Sequence, residues 1–213
     1  MANNDNITAG PMKMAKPYLD EKLAGRKFEA IVIGASAGGI SALLALLVSL
    51  PAHFRIPIII VLHMPDTRES RLVEVFQHHM EITVMLAEDK DRIQERRVYF
   101  AGPGYHLSIE RDRSFSISCE EPLHFSRPSI DILMCSAADV YGTRLIGILL
   151  TGANQDGAIG MKSIHAAGGV TIIQDPAQAE IAVMPQSALH LFAPDYILPL
   201  EDIQALIFKL EKC

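Results

Sequence analysis

Short, uninterrupted apolar runs rich in β-branched residues alternate along this chain with segments of helical periodicity. A run such as Ile56–Leu62 has no polar face, so the strand that it forms must be covered on both sides. Parallel sheets with helices on both faces cover their strands in this way. The alternation therefore predicts an α/β fold with a doubly wound, mostly parallel sheet, Rossmann-like and three-layered. Alternating residues and turn signals within Arg96–Cys119 predict strands and an antiparallel hairpin at one edge.

The pattern places the other elements along the chain. The expected strands are Ala30–Ile33, Ile56–Leu62, Ile82–Leu86, Leu145–Leu150 and Val170–Gln174. The expected helices are Gly38–Leu50, Arg68–Met80, Ser129–Tyr141, Gly157–Ala167, a short helix near Gln186–Leu191, and Glu201–Leu210. Residues 1–28 are polar and contain glycine and prolines, which predicts a flexible N-terminal tail before a single domain over residues 29–213.

Charge and cysteine content narrow the class of protein. The net charge is −6 and no long run of Lys or Arg occurs, which argues against nucleic acid or an anionic membrane as the main partner. The three cysteines (Cys119, Cys135 and Cys213) are widely spaced and form no metal-type pair, which favours a reducing, cytoplasmic setting. No apolar run approaches the ~20 residues of a membrane span, so membrane insertion is not expected.

A glycine-rich turn follows the first strand in "AIVIGASAGGISALLALL", and this design serves two unrelated purposes. In a dinucleotide site, glycines let a pyrophosphate rest on a helix N-terminus. In a nucleophile elbow, Gly34 and Gly38 flank a raised serine, Ser36. A third possibility is a small-residue turn that only packs helix against strand. The second strand ends at His63, where a dinucleotide fold would carry an acid, so the sequence favours the elbow.

Ser36 and His63 both follow predicted strands, at the end of a parallel sheet where ligands bind. A third residue there, Asp156, lies on the turn in "LLTGANQDGAIGM" and could orient a catalytic histidine or simply cap a helix. His190 is a rival base, because Ser36, Asp156 and His190 have the chain order of α/β-hydrolases. His106 and His124 lie in the irregular middle region and could line a pocket.

Six ordered blocks resemble one family: "IGASAGG", "LHMPD", "AGPGYHLSIE", "SRPSIDILMCSAA", "LLTGANQDGAIGMKSIHAAGG" and "IIQDPAQAEIAVMPQSAL". They are similar to the catalytic domain of CheB, the chemotaxis protein-glutamate methylesterase. The resemblance implies hydrolysis of glutamate γ-methyl esters on chemoreceptor cytoplasmic helices, with release of methanol and with glutamine deamidation as a related activity. It implies no cofactor and no metal.

The resemblance also implies roles for individual residues. Ser36 stands at the family's nucleophile, His63 at its base and Asp156 at its third triad residue, which supports this order over the one with His190. The backbone N–H groups of Ala37 and Ala153 stand at its oxyanion hole. Family members carry Thr after the nucleophile and Met-Gly after "TG", whereas this chain has Ala37 and Ala153-Asn154.

Family members also have an N-terminal receiver domain whose phosphorylation relieves inhibition. A domain of that kind needs ~100 residues, and only 28 residues precede Glu29, so phosphorylation in cis is not expected to regulate this chain. The altered oxyanion neighbours and the short N-terminal segment leave an alternative open, a catalytically weak, methylesterase-like module that binds a receptor or signalling partner.

Overall fold

The structure is a computed structural model that describes residue 23 and residues 25–64 and 71–210. Residues 1–22 and residue 24 of the predicted tail lie outside the described residues. At the described end of that segment, Arg26 donates a hydrogen bond to the backbone oxygen of Gly168 (2.7 Å). The Phe28 side chain packs against the core. The chain just before the first strand is therefore attached to the domain.

Two sheets contain the strands. The main sheet contains β1 (Ala30–Ala35), β2 (Ile58–Leu62), β3 (Thr83–Leu86), β4 (Arg97–Phe100), β7 (Leu145–Leu149), β8 (Val170–Gln174) and β9 (Tyr196–Leu198). All of its pairings are parallel, in the order β3-β4-β2-β1-β7-β8-β9. The smaller sheet is the antiparallel hairpin of β5 (His106–Ile109) and β6 (Phe115–Ser118).

Helices cover both faces of the main sheet, as the apolar runs predicted. They are α1 (Gly39–Leu47), α2 (Leu72–His79), α3 (Ile130–Tyr141), α4 (Ala158–Ala166), α5 (Val183–Leu191) and α6 (Leu200–Leu210). Helices α1, α2 and α6 bury their apolar sides in one core, and α3, α4 and α5 bury theirs in the other. Every residue of β1, β2, β7 and β8 is buried, which explains why these strands carry no polar face.

The predicted parallel sheet and antiparallel hairpin are both confirmed, but the sheets differ from the prediction in three details. The hairpin does not extend the main sheet: it forms its own sheet against α3, where the Ile109 N–H donates to Ser136 Oγ (3.0 Å). Strand β4 lies inside the main sheet between β3 and β2. Strand β9 was not predicted, because three residues are too few to show a period.

The three candidate residues lie at one edge of the sheet because their strands are neighbours. Strand β1 lies between β2 and β7, and the strand order changes direction there, which creates a crevice beyond the carboxyl ends of the strands. The pairing continues just past the strands, since His63 N–H donates to Ala35 O (3.0 Å) and Ser36 N–H donates to Thr151 O (3.0 Å). The first residues after these strands therefore meet at this crevice.

Candidate active site

The glycines around Ser36 let the turn lie close to its neighbours. A Cβ atom on Gly34 would come 2.3 Å from Ile130 Cγ2, so only glycine allows α3 to approach this strand end. Gly38 has φ +77°, a left-handed conformation that glycine adopts at little cost, and it precedes the first residue of α1. Ser36 is therefore held half-buried on a tight strand-to-helix turn.

His63 and Asp156 are joined by a hydrogen bond. His63 Nε2 lies 2.9 Å from Asp156 Oδ2, and the two side chains are 11% and 0% exposed. An ionised carboxylate only accepts hydrogen bonds, so Nε2 carries the proton and donates it to Asp156. The free lone pair of the neutral ring is then on Nδ1, which makes Nδ1 the atom that can act as a base.

Asp156 is also bound by the N-terminal end of α3. Its carboxylate accepts hydrogen bonds from Ser129 Oγ (2.9 Å) and from the backbone N–H groups of Ile130 (2.7 Å), Asp131 (3.0 Å) and Gly157 (3.0 Å). Burial raises the pKa of Asp156, but the hydrogen bonds from His63, Asp131 and Ile130 outweigh it and lower the pKa overall. The carboxylate thus stays ionised although it is fully buried.

The Nδ1 side of His63 faces a second serine. Ser126 Oγ lies 3.4 Å from Nδ1 and accepts a hydrogen bond from Asn154 Nδ2 (3.2 Å). No hydrogen bond of 3.5 Å or less joins Ser36 to the ring among the described residues, but Ser36 and His63 line one pocket of about 200 Å³. Ser36 and His63 therefore border the same pocket, and Ser126 is the side chain next to Nδ1 in the free protein.

One backbone N–H group in the turn after β1 and one in the turn after β7 are candidate donors. Within the described part of the chain, neither the Ala37 N–H nor the Ala153 N–H makes a hydrogen bond. The Thr151 hydroxyl lies between two loops, since its Oγ1 donates to Ala37 O (2.9 Å) and accepts from the Ile181 N–H (2.9 Å). Thr151 is buried, and these two hydrogen bonds link the turn after β1 to the loop after β8.

Two further carboxylates lie near the site. The Glu180 side chain lines the pocket and packs over Gly38, where an added Cβ atom would come 2.7 Å from its Oε2. Asp131 is buried, and its Oδ1 accepts from the Gly160 N–H (2.7 Å). Burial and the nearby charge of Asp156 raise the pKa of Asp131 to about 6, against the opposing effects of the Gly160 N–H and His124.

The other candidate histidines do not reach the triad position. His190 is exposed on α5 and makes no hydrogen bond to Asp156 among the described residues. His106 is buried and holds backbone groups, accepting at Nδ1 from the Ser129 N–H (3.1 Å). His124 lies 3.2 Å from Gln155 Nε2 and 3.6 Å from Asp131 Oδ2. Among the histidines that the structure describes, His63 alone bonds the Asp156 carboxylate.

Sequence reasoning missed several polar residues of this site. Ser126, Asn154, Thr151 and Glu180 are short or common polar residues in loops, and nothing in their spacing marks them. Ser129 had a local signal, since it is the first residue of the predicted helix Ser129–Tyr141, and its Oγ accepts from the Ile132 N–H (3.5 Å). Its bond to Asp156 joins residues far apart in the chain and had no signal.

The fold and the site together define the class of protein to which this chain belongs. A parallel α/β sheet with a half-buried serine, a histidine and a buried aspartate after three adjacent strands has the layout of a serine hydrolase. The sequence model of the CheB methylesterase family matches residues 31–207. This chain therefore belongs to the CheB methylesterase family.

Similar proteins agree with this assignment. A Leptospira interrogans protein (strain 56601), named provisionally as a protein-glutamate methylesterase/protein-glutamine glutaminase, is 47% identical over 87% of this chain and 96% of its own length. A relative from Trichodesmium erythraeum, named as the same enzyme, is 37% identical over 83% of this chain and 51% of its own length. The chain thus spans about half of that relative. The crystal structure of the Thermotoga maritima CheB methylesterase catalytic domain matches with a TM-score of 0.82 at 29% identity, over 87% of this chain and all of that domain.

Two further features concern the described residues only. None of their helices has the length and apolar character that crossing a membrane requires. They also contain no group of three or more His, Cys, Asp or Glu side chains placed to hold a metal ion.

Proposed function

We propose that this chain hydrolyses γ-methyl esters of glutamate side chains on a chemoreceptor-type signalling protein, with Ser36 as nucleophile, His63 as base and Asp156 as the residue that orients His63. The observation that carries the proposal is the 2.9 Å bond between His63 Nε2 and Asp156 Oδ2 beside a pocket that also contains Ser36. The family and the names of its members support an ester hydrolase acting on protein glutamates.

The first half of the reaction forms an acyl-enzyme. His63 Nδ1 takes the proton of Ser36 Oγ while that oxygen attacks the ester carbonyl carbon. The N–H groups of Ala37 and Ala153 donate to the oxyanion that develops on the carbonyl oxygen. His63 then gives the proton to the leaving methoxide, and methanol departs. Asp156 stabilises the imidazolium that exists between these two transfers.

The second half releases the glutamate. His63 Nδ1 takes a proton from water, whose oxygen attacks the acyl-enzyme, and the proton then passes to Ser36 Oγ as the bond to the acyl group breaks. A glutamine substrate would follow the same route with ammonia as the leaving group. The negative charge of Glu180 at the pocket disfavours a carboxylate there, which suits a neutral ester or amide as substrate and a charged product that leaves.

Ser126 adds one requirement to the first step. Because Nδ1 faces Ser126 Oγ at 3.4 Å in the free protein, Ser36 must replace Ser126 as the partner of Nδ1 when the ester binds. Catalytic hydrogen bonds are often long in free enzymes and shorten in the complex, so this rearrangement is within the normal range.

Methanol release from membranes that carry methylated receptors tests the proposal. Ser36→Ala should lower the rate by about 10⁴-fold or more, since loss of a triad nucleophile removes the covalent route. Ser187→Ala, which removes a hydroxyl on α5 that donates to Val183 O (2.7 Å), serves as the matched control and should retain full activity. An unchanged rate in Ser36→Ala would contradict the proposal. If wild-type protein binds the receptor but neither releases methanol nor reacts with a fluorophosphonate at Ser36, the binding-module alternative holds instead.

A further inference from the structure

A tight turn over residues 123–126 lies beside the base and has a strained backbone. The N–H of Leu123 donates to Ser126 O (3.1 Å), and the N–H of Ser126 donates back to Leu123 O (2.9 Å). The two central residues, His124 and Phe125, have φ +51° and +62°. Such turns normally carry Asn or Gly at these positions, because a left-handed conformation is unfavourable for bulky side chains. The surrounding contacts must therefore hold the 123–126 turn in place.

Those contacts come from the catalytic residues and their neighbours. Ser126 Oγ lies 3.4 Å from His63 Nδ1 and accepts from Asn154 Nδ2 (3.2 Å). Gln155 Nε2 donates to His124 Nδ1 (3.2 Å), which directs the other ring nitrogen toward Asp131. Asn154 and Gln155 immediately precede Asp156 in the chain. The 123–126 turn is thus fixed to the same loop that supplies the triad aspartate.

The strained turn presents an aromatic ring to solvent. Phe125 is fully exposed, more than any other large apolar residue of the described chain, the next being Ile159 at 52%. A ring in that position contributes nothing to the core of its own domain. The adjacent residue, Ser126, lies 3.4 Å from His63 Nδ1, so Phe125 projects at the rim of the site, one residue from the contact with the base.

We propose that Phe125 is a contact for the protein substrate, packing against an apolar side chain one helical turn from the esterified glutamate. This inference rests on the proposed function. The pocket of about 200 Å³ takes only a side chain, so the substrate backbone stays outside, over the rim. On a helical substrate, residues three and four positions from the glutamate share its face and lie over the same rim. An apolar residue there buries the Phe125 ring that water now surrounds.

The test compares a protein substrate with a small reagent. Phe125→Asn suits the left-handed backbone better than Phe does and replaces the apolar ring by a small polar amide. With methylated receptor cytoplasmic fragments, we expect its kcat/KM for methanol release to fall about 10-fold to 100-fold, the equivalent of burying one aromatic side chain. Labelling of Ser36 by a small fluorophosphonate should stay within about 2-fold of wild type, because that reagent does not reach the ring.

Two further variants complete the design. Leu191→Ala removes an exposed apolar side chain at the far end of α5 and should leave both readouts unchanged. Phe125→Leu should recover most of the activity on the receptor fragments. The proposal is overturned if Phe125→Asn turns over the fragments like wild type, or if labelling falls as much as turnover, since the turn would then only support the site. A wild-type protein that labels at Ser36 yet releases no methanol would instead overturn the proposed function.

Discussion

Replacing Asp156 by Asn changes both the proton on His63 and the hydrogen bonding at the start of α3. Oδ2 accepts from His63 Nε2 (2.9 Å) and from the Ile130 N–H (2.7 Å), while Oδ1 accepts from Ser129, Asp131 and Gly157. An amide keeps only one acceptor atom. The orientation that retains the three bonds at Oδ1 puts the NH₂ group opposite two donors.

His63 can resolve this conflict only by changing tautomer. Its Nε2 then accepts a hydrogen bond from the amide, the proton moves to Nδ1, and the lone pair that should deprotonate Ser36 is lost. In a Ser-His-Asp enzyme, the same tautomer change lowers kcat by about 10⁴-fold, or roughly 5.5 kcal/mol of barrier. The Ile130 N–H cannot adapt, and a buried donor without an acceptor costs about 1–3 kcal/mol of unfolding free energy.

Methanol release and urea unfolding of Asp156→Asn measure the two effects separately. Asp195→Asn is the matched control: its buried carboxylate accepts from the N–H and Oγ1 of Thr171 (both 2.9 Å), near the amino end of β8 and away from the triad. Because both donors reach Oδ2, an amide oxygen can take its place, so we expect the control to keep full activity with little loss of stability. If folded Asp156→Asn kept more than about a tenth of the wild-type rate, the tautomer argument would be refuted.

Two other substitutions give shorter tests. Thr151→Val keeps the shape of the side chain but removes the hydroxyl that bonds Ala37 O and the Ile181 N–H. We expect the unfolding free energy to fall by about 1–3 kcal/mol and kcat to fall with KM little changed. An unaltered kcat would mean that the position of the Ala37 backbone does not depend on this bond. Burial is the main reason that the pKa of Asp131 is raised to about 6. The folded state therefore holds this proton more tightly than the unfolded state does. The stability that this contributes is present below about pH 4 and is lost as the pH rises through about 6. Asp131→Asn cannot ionise, and urea unfolding should therefore show its stability relative to wild type increasing between about pH 4 and about pH 8; a constant difference would contradict the assignment.

Local sequence patterns were sufficient for most of the secondary structure. Strand β8 has the bounds that the apolar run predicts, Val170–Gln174. Helix α5 begins at Val183, three residues before the predicted short helix, with Pro185 in its first turn. A proline is tolerated there because the first N–H groups of a helix have no partner within the helix. Strand β9 depends on pairing with β8 and not on its own three residues.

In the candidate site, too, some features follow from local sequence and others only from the assembled sheet. That Ser36, His63 and Asp156 follow strands is a local property, and a parallel sheet brings strand ends to one edge, so their shared location could be predicted from the sequence. The neighbouring positions of β2, β1 and β7 arise only when the sheet assembles.

The sequence alone determined most of the strands and helices and the three residues at the carboxyl edge of the sheet, because apolar periodicity and turn chemistry depend on consecutive residues. The tertiary structure decided which nitrogen of His63 meets Asp156, that α3 directs its first N–H groups at that carboxylate, and that Ser126 faces the base. These contacts join loops far apart in the chain, and helix packing against the sheet sets their distances. No local pattern encodes that packing.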